Sequence, residues 1–493
     1  MAKLFLNNYN SFTEFTNGVS IVSESLPGFD KVYHLVDSLN NPTSSYYLEV
    51  GDFSDGLLRV KDENNKWGFI NSSGEEVISC KFDEVGDFNG GFARCRVGEK
   101  WGYINNQGQF AIQPRFDDAF DFKNGFACVK QGNTYGALNQ KMELLKCNFI
   151  SSSPIEFVNN VAKISYNGLF GFIDENGNIV IPCIHSEVGS FENSDFAPVK
   201  YNGKWGYAHK FVNNSENGTF SPYIDYQYAN ASNFHEGLAW LILSSVDKCS
   251  YISEDGTITP LLKGFSVAAD FSEGLASVMD SSRRAYGYID KSGNMVIEPK
   301  YSVASSFKGG FAVVYNNESK CGIIDKKGKE IIPCKYDEIR PFVQGMAAAR
   351  KEDLWGFVNT EGEEVIPCKY LSVSDFDEGF SVVQITDNGD NLVDNRYIDF
   401  ENNVYTYKQR NLIKALLYQV KLAKDMGLPE SEINELKADF NKQMLELKET
   451  EDKSQNEGLV VPETKSNPLF PSSKVSKNAA LDELVRMQEQ YRI

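Results

Sequence analysis

Histidine is scarce: four in 493 residues, at positions 34, 185, 209 and 235. His34, His185, His209 and His235 show no HxxxH or HExxH spacing. That pattern gives no basis for a metal centre or a catalytic triad. The nine cysteines are an odd number and form no CxxC pair, which argues against a disulfide framework and for a reduced, cytoplasmic protein. No apolar run reaches the ~18 residues of a membrane span. The opening stretch Met1–Asn10 has only a short apolar run broken by asparagine, without a signal-peptide core. A basic surplus is also missing. Lys and Arg total 49 against 68 Asp and Glu, for a net charge of −19, so neither nucleic acid nor an anionic membrane is an expected partner. There is no GxxxxGK[ST], GxGxxG or GxSxG placed to bind phosphate or to hold a nucleophile. Asp387-Asn388-Gly389-Asp390-Asn391 lacks the later glutamate of a calcium loop and reads as a turn. No cofactor, metal or reaction is expected, and the chain reads as non-enzymatic.

What the sequence does contain is one phrase, many times over. Trp67-Gly68-Phe69-Ile70 returns as Trp101-Gly102-Tyr103-Ile104, Trp205-Gly206-Tyr207 and Trp355-Gly356-Phe357-Val358. Tyr135, Phe170 and Tyr286 replace the tryptophan in three units, and Cys249 and Cys321 in two. Tyr33 opens the series, and Arg396 or a neighbour closes it. Spacings from Tyr33 to Trp355 are 34, 34, 34, 35, 35, 44, 37, 35 and 34 residues. The period is thus 34–35 residues over about ten units, with an insert at Asn213–Gly218 that could separate two sub-arrays.

Within a unit, the Trp-Gly strand leads to a turn such as Asp290-Lys291-Ser292-Gly293, suited to a hairpin with a left-handed glycine. A second strand follows, as in Glu330-Ile331-Ile332-Pro333, whose proline is expected to stop the ladder. A basic residue and an aromatic come next, where a short fourth strand is expected, then a phenylalanine six residues later, then a small-residue strand such as Gly125-Phe126-Ala127. No unit holds a helix-length periodic run. Units of this kind bury their apolar faces only by stacking. The expected fold is mainly β, as an open superhelical array or a β-propeller-like assembly.

These phrases, with Lys66 and Lys204 before the tryptophan, the Gly-x-x-Val-Ile-Pro-x-Lys-Tyr run and the following Phe-x-x-Gly-hydrophobic-Ala, resemble the WG-repeat (tryptophan-glycine β-repeat) family over roughly residues 12–406. The family is mostly bacterial. The resemblance implies an all-β scaffold serving as an interaction platform, and it brings no catalytic residues.

Trp67, Trp101, Trp205 and Trp355 could form a sugar-stacking ladder. Their fixed phase beside glycine and the two cysteine replacements instead assign them to the repeat core. Cys80, Cys183, Cys334 and Cys368 share one phase and read as small packing residues. Lys81, Arg115, Lys300, Lys335 and Lys369 also share one phase, 14 residues after their anchors. They are candidate partner-binding residues unless Asp83, Asp117 and Asp337 neutralise them.

The array is assigned to residues 1–406. Leu412, Leu416, Val420 and Ala423, then Ile433, Leu436, Phe440, Met444 and Leu447, mark an αα-hairpin over 407–450. The hairpin would cap the array or form a seam for self-association, including a coiled coil. Residues 451–478 read as a disordered linker. An amphipathic helix over 479–493, with Leu481, Leu484 and Val485 on one face, would dock in cis or onto another chain. The functional expectation is a scaffold or adaptor for another protein of unknown identity. The alternative is a sensor of glycan or cell-wall fragments.

Overall fold

The computed structural model describes residues 5–145, 151, 153–211, 214–216, 219–243, 249–259, 265–386 and 393–456. Among them are twelve small antiparallel sheets and two α-helices, so the chain is mainly β with a helical hairpin behind the repeats. The expected linker 451–478 is helical over its first six residues, since the second helix runs on to Asn456. Its remainder, the C-terminal helix with Leu481, Leu484 and Val485, and the Asp387–Asn391 turn lie outside the described residues.

The Trp101 module shows how a unit is built. A short strand, Glu84–Val85, pairs with Phe92–Val97. That strand pairs with the Trp-Gly strand Lys100–Asn105, which pairs with a long edge strand, Phe110–Phe116. Eight sheets have this four-stranded form. The turn before the edge strand is the expected one. In the Tyr286 module, Asp290 accepts the N–H groups of Ser292 and Asn294 at 2.9 and 2.8 Å, and Gly293 has φ +81°.

The structure corrects two details. The proline does not end its strand: Glu330–Tyr336 and Glu364–Tyr370 run through Pro333 and Pro367. Trp355 pairs with Tyr370 and Phe357 with Ile366, so three residues bulge opposite Gly356. A residue without an N–H is harmless where the ladder is already broken. The fourth strand is also not formed by the Lys-Tyr pair. It begins two residues later, as in Glu338–Ile339, and belongs to the next sheet.

The bulge explains the glycine beside the tryptophan. A Cβ on Gly102 would lie 2.4 Å from the Ile112 carbonyl oxygen, and one on Gly356 would lie 2.3 Å from that of Ile366. Both contacts are with backbone, which cannot move aside as a side chain could. The closing sheet supplies the contrast. Register places Arg396 opposite Val383, the position Gly356 holds opposite Ala349. There the edge strand is only Val404–Tyr405, and it pairs at Tyr397 and Ile398 without a bulge.

Cores form between consecutive sheets. Trp101, Tyr103, Ile112 and Phe116 of one module pack with Ala119, Phe122, Ala127 and Val129 of the next. The residue two after the anchor meets the later phenylalanine edge-on, as in Tyr103–Phe122 at 5.5 Å and Phe357–Phe376 at 4.8 Å. Polar bonds also join modules. Arg94 pairs with Asp121 at 2.8 Å and donates to the Ala119 carbonyl at 3.0 Å. Arg340 does the same with Asp375 at 3.2 Å and the Val373 carbonyl at 3.1 Å.

The chain divides into two compact units. One comprises residues 24–36 and 42–307 and holds the modules from Trp67 to Tyr286. The insert lies within it. Asn214–Glu216 and Thr219–Ser221 form an extra hairpin between the Trp-Gly strand Lys204–His209 and the edge strand Ile224–Tyr228.

The other unit comprises residues 1–23, 37–41 and 308–493 and contains the Cys321, Trp355 and closing modules with the helices. Helix α1, Tyr407–Asp425, starts on a capping box between Thr406 and Gln409. Helix α2 spans Glu430–Asn456. Leu412, Leu416, Val420 and Ala423 are buried on α1, and Ile433, Leu436 and Phe440 on α2. On α1, Glu378 of the closing module accepts from Tyr418 at 2.6 Å and pairs with Lys414. The N-terminal segment packs on the same helix: the Phe5 N–H donates to the buried Gln419 side chain at 3.0 Å, Phe12 meets the Tyr418 ring at 5.9 Å, and Glu14 pairs with Lys421. Neither helix is long and apolar enough to cross a membrane.

Candidate interaction surface

The tryptophans are interior residues. Trp101, Trp205 and Trp355 are buried and Trp67 half-buried. Their faces are covered by cations: Arg94 lies 4.8 Å from the Trp101 ring, Lys200 5.4 Å from Trp205 and Arg340 4.5 Å from Trp355. The indoles are therefore closed to an incoming sugar. Cys249 and Cys321 at the same phase are buried as well.

The repeated cysteines lie in the bulge. Cys80, Cys334 and Cys368 approach the carbonyl oxygens of Val60, Val314 and Ala349 at 3.8, 3.8 and 3.4 Å. Burial pushes the Cys80, Cys183 and Cys368 thiols up to about 11, so they stay protonated and are poor nucleophiles. The histidines are dispersed. His185 is buried against the Tyr226 hydroxyl at 2.6 Å, and burial lowers its pKa. His235 sits 3.5 Å from Asp270. Among the described residues no three His, Cys, Asp or Glu side chains converge as metal ligands.

The basic row is different. Lys81, Arg115, Lys300, Lys335 and Lys369 are the penultimate residues of five edge strands, and all are exposed. Each cation lies over the ring of the next residue. The distances are 5.2 Å for Lys81 on Phe82, 5.0 Å for Arg115 on Phe116, 4.9 Å for Lys300 on Tyr301, and 5.1 Å for both Lys335 on Tyr336 and Lys369 on Tyr370.

The aspartates that could have neutralised this row are engaged by other lysines. Asp83 pairs with Lys66 and Asp117 with Lys100, both at 2.5 Å, and Asp337 pairs with Lys320. Those lysine hydrogen bonds, helped by backbone N–H groups of Gly98, Gly132 and Glu352, hold the three carboxyls below the usual carboxylate range. Two cationic rows thus run through the repeats. The one just before the anchor is paired, and the one 14 residues after it lies outside those pairs.

Sequence reasoning missed a companion to the exposed row. Val77, Val296 and Val365, four residues before Lys81, Lys300 and Lys369, are 41%, 42% and 40% exposed. Their common phase was visible, but a strand apolar at most positions reads as interior. Only its place at the sheet edge turns these valines outward. A second missed feature is a set of exposed tyrosines in the modules lacking the cation. Tyr166, Tyr201 and Tyr223 are exposed, and the Tyr201 ring lies 5.4 Å from Tyr226.

Residues 47–67, 67–101, 101–135, 170–205, 286–319, 322–355 and 355–388 match the family described as WG containing repeat. The chain belongs to the WG-repeat family. The Tyr135 and Cys249 modules fall outside the matched segments yet keep the same hairpin pairing of second and Trp-Gly strands. The hairpin thus persists where the tryptophan is lost, and the Phe170, Tyr286 and Cys321 modules keep the bulge as well. No curated protein matches the chain.

Among solved structures, the chain is similar to a eukaryotic initiation factor at 10% identity, covering 61% of this chain and 92% of that one with a TM-score of 0.30. It is similar to the dihydro-heme d1 dehydrogenase NirN at 12% identity, covering 57% and 72% with a TM-score of 0.27. It is also similar to the WD40 β-propeller domain of Doa1 at 10% identity, covering 46% and 88% with a TM-score of 0.24. These scores are too low to carry an inference about function.

Proposed function

We propose that this WG-repeat protein is a non-enzymatic scaffold or adaptor for another protein. The repeats serve as the platform, and the C-terminal segment with Leu481, Leu484 and Val485 is a tethered docking element. One observation carries the reading. The invariant parts of the repeat are spent on the interior, while the edge strand presents the same exposed cation five times. Repetition of an outward group suits an extended partner held by many weak contacts. We place the protein in the cytoplasm, where its eight described free thiols would remain reduced. The helices α1 and α2 offer a second surface, for self-association.

The test is affinity capture of partners with the full chain and with a chain lacking residues 451–493. Loss of a partner on deletion supports the tether. Retention of every partner removes the tether and leaves the platform. A chain that captures no protein reproducibly would end the scaffold reading. The glycan-sensor alternative has its own observation in Tyr166, Tyr201 and Tyr223. A glycan array with hits abolished by Tyr201→Ala would favour it.

A further inference from the structure

The edge strands also point to the chemistry of the partner, an inference that rests on the platform reading above. Five edge strands carry, as the residue before the last, an exposed cation above the ring of the final residue. The chain holds 68 acidic residues against 49 basic ones, so carboxylates are not in short supply. The near carboxylates Asp83, Asp117 and Asp337 are committed to the other lysine row. Val77, Val296 and Val365 add an exposed apolar group to three of these strands. The same strands are bulged, and four of them contain Pro114, Pro299, Pro333 or Pro367. A bulged, proline-containing edge does not extend its ladder to an added strand. Recognition there must run through side chains.

We propose that the edge strands bind an extended acidic peptide segment of a partner protein, with the cations taking its carboxylates and the valines its small apolar side chains. Spacing favours this occupant. Lys81 and Arg115 lie on neighbouring modules of one compact unit, and Lys335 and Lys369 on neighbouring modules of the other. Sheets packed face to face lie about 10 Å apart, and an extended chain rises about 3.3 Å per residue. A carboxylate at every third residue therefore keeps step with one cation per module. Duplex nucleic acid carries a charge about every 1.7 Å along its axis. That is several times denser than the row, and it would meet a chain of net charge −19.

The test is fluorescence anisotropy on the full chain. The probe is a labelled peptide repeating Asp-Val-Ser over about 18 residues, long enough to cross several modules. The Asn-Val-Ser peptide and a single-stranded oligonucleotide are comparison arms. The Asp peptide should bind more tightly than the Asn peptide, and more weakly as salt rises. Each cation removed should cost roughly twofold to fivefold in Kd, so K335Q/K369Q should weaken binding about fourfold or more. K335R/K369R should bind as the wild type does.

Equal binding of Asp and Asn peptides, tighter binding of the oligonucleotide, or a K335Q/K369Q variant that binds like wild type would each overturn the proposal. If K335Q/K369Q aggregates, the wild-type Asp-versus-Asn comparison still decides. No preference there assigns the cations to protecting the strand edge, which also overturns the proposal. Failure of the peptide with continued capture of a protein partner would remove this inference and leave the scaffold reading standing.

Discussion

At the scale of single residues, the glycine after the anchor is a steric requirement. A Cβ at Gly356 would lie 2.3 Å from the Ile366 carbonyl oxygen and 2.6 Å from the Cys368 nitrogen. Gly356→Ala should lower stability by about 2–4 kcal/mol, read as a drop in urea midpoint. Arg396→Gly should give no gain, because no bulge faces that position. An unchanged midpoint for Gly356→Ala would refute the close approach. Tyr103 tests a smaller effect. Its buried hydroxyl donates to the Phe120 carbonyl at 2.8 Å. Tyr103→Phe should cost about 1 kcal/mol, a modest loss because Phe69 and Phe357 hold the equivalent place elsewhere. The Trp-Gly pair was legible in the sequence, but the reason for its glycine was not. The partner is backbone ten or more residues away, brought close only by the bulge.

At the scale of elements, the helices were legible because Leu412, Leu416 and Val420 repeat with the α-period and are indeed buried. The strand through Pro333 and Pro367 was misread because a bulge has no local signature of its own. Equally hidden was the N-terminal clasp, since Gln419 and Phe5 are 414 residues apart.

The clasped helix makes a pH prediction. Burial would raise the Glu378 carboxyl, but hydrogen bonds from Lys414 and Tyr418, with the charges of Lys414 and Arg410, outweigh it and leave the pKa below 4.5. A depressed carboxyl stabilises above its unfolded value and loses that contribution as pH falls through its folded value. Thermal melts followed by helical circular dichroism should therefore show α1 weakening below about pH 4. Glu378→Gln should remove much of that pH dependence, and an equal pH dependence in the variant would contradict the assignment. Phe12→Ala should raise hydrogen exchange in α1 while leaving the Trp101 module unchanged.

At the scale of the whole molecule, the repeat period was legible because a stacked array imposes the same steric demands on each unit. What differs between units, and so what bears on function, was only partly legible. The basic phase of Lys81, Arg115, Lys300, Lys335 and Lys369 could be found by counting. That Asp83, Asp117 and Asp337 belong to other lysines depends on which strands pair, and the valines depend on which strand is the edge. The central claim is that the edge strands form the platform. Amine-labelling footprints of the full chain, free and bound to the protein partner it captures, test this most directly. Lys81, Lys300, Lys335 and Lys369 should lose reactivity on binding while Lys66, Lys100 and Lys320 keep theirs. An exposed row that stays fully reactive in the complex would contradict the account.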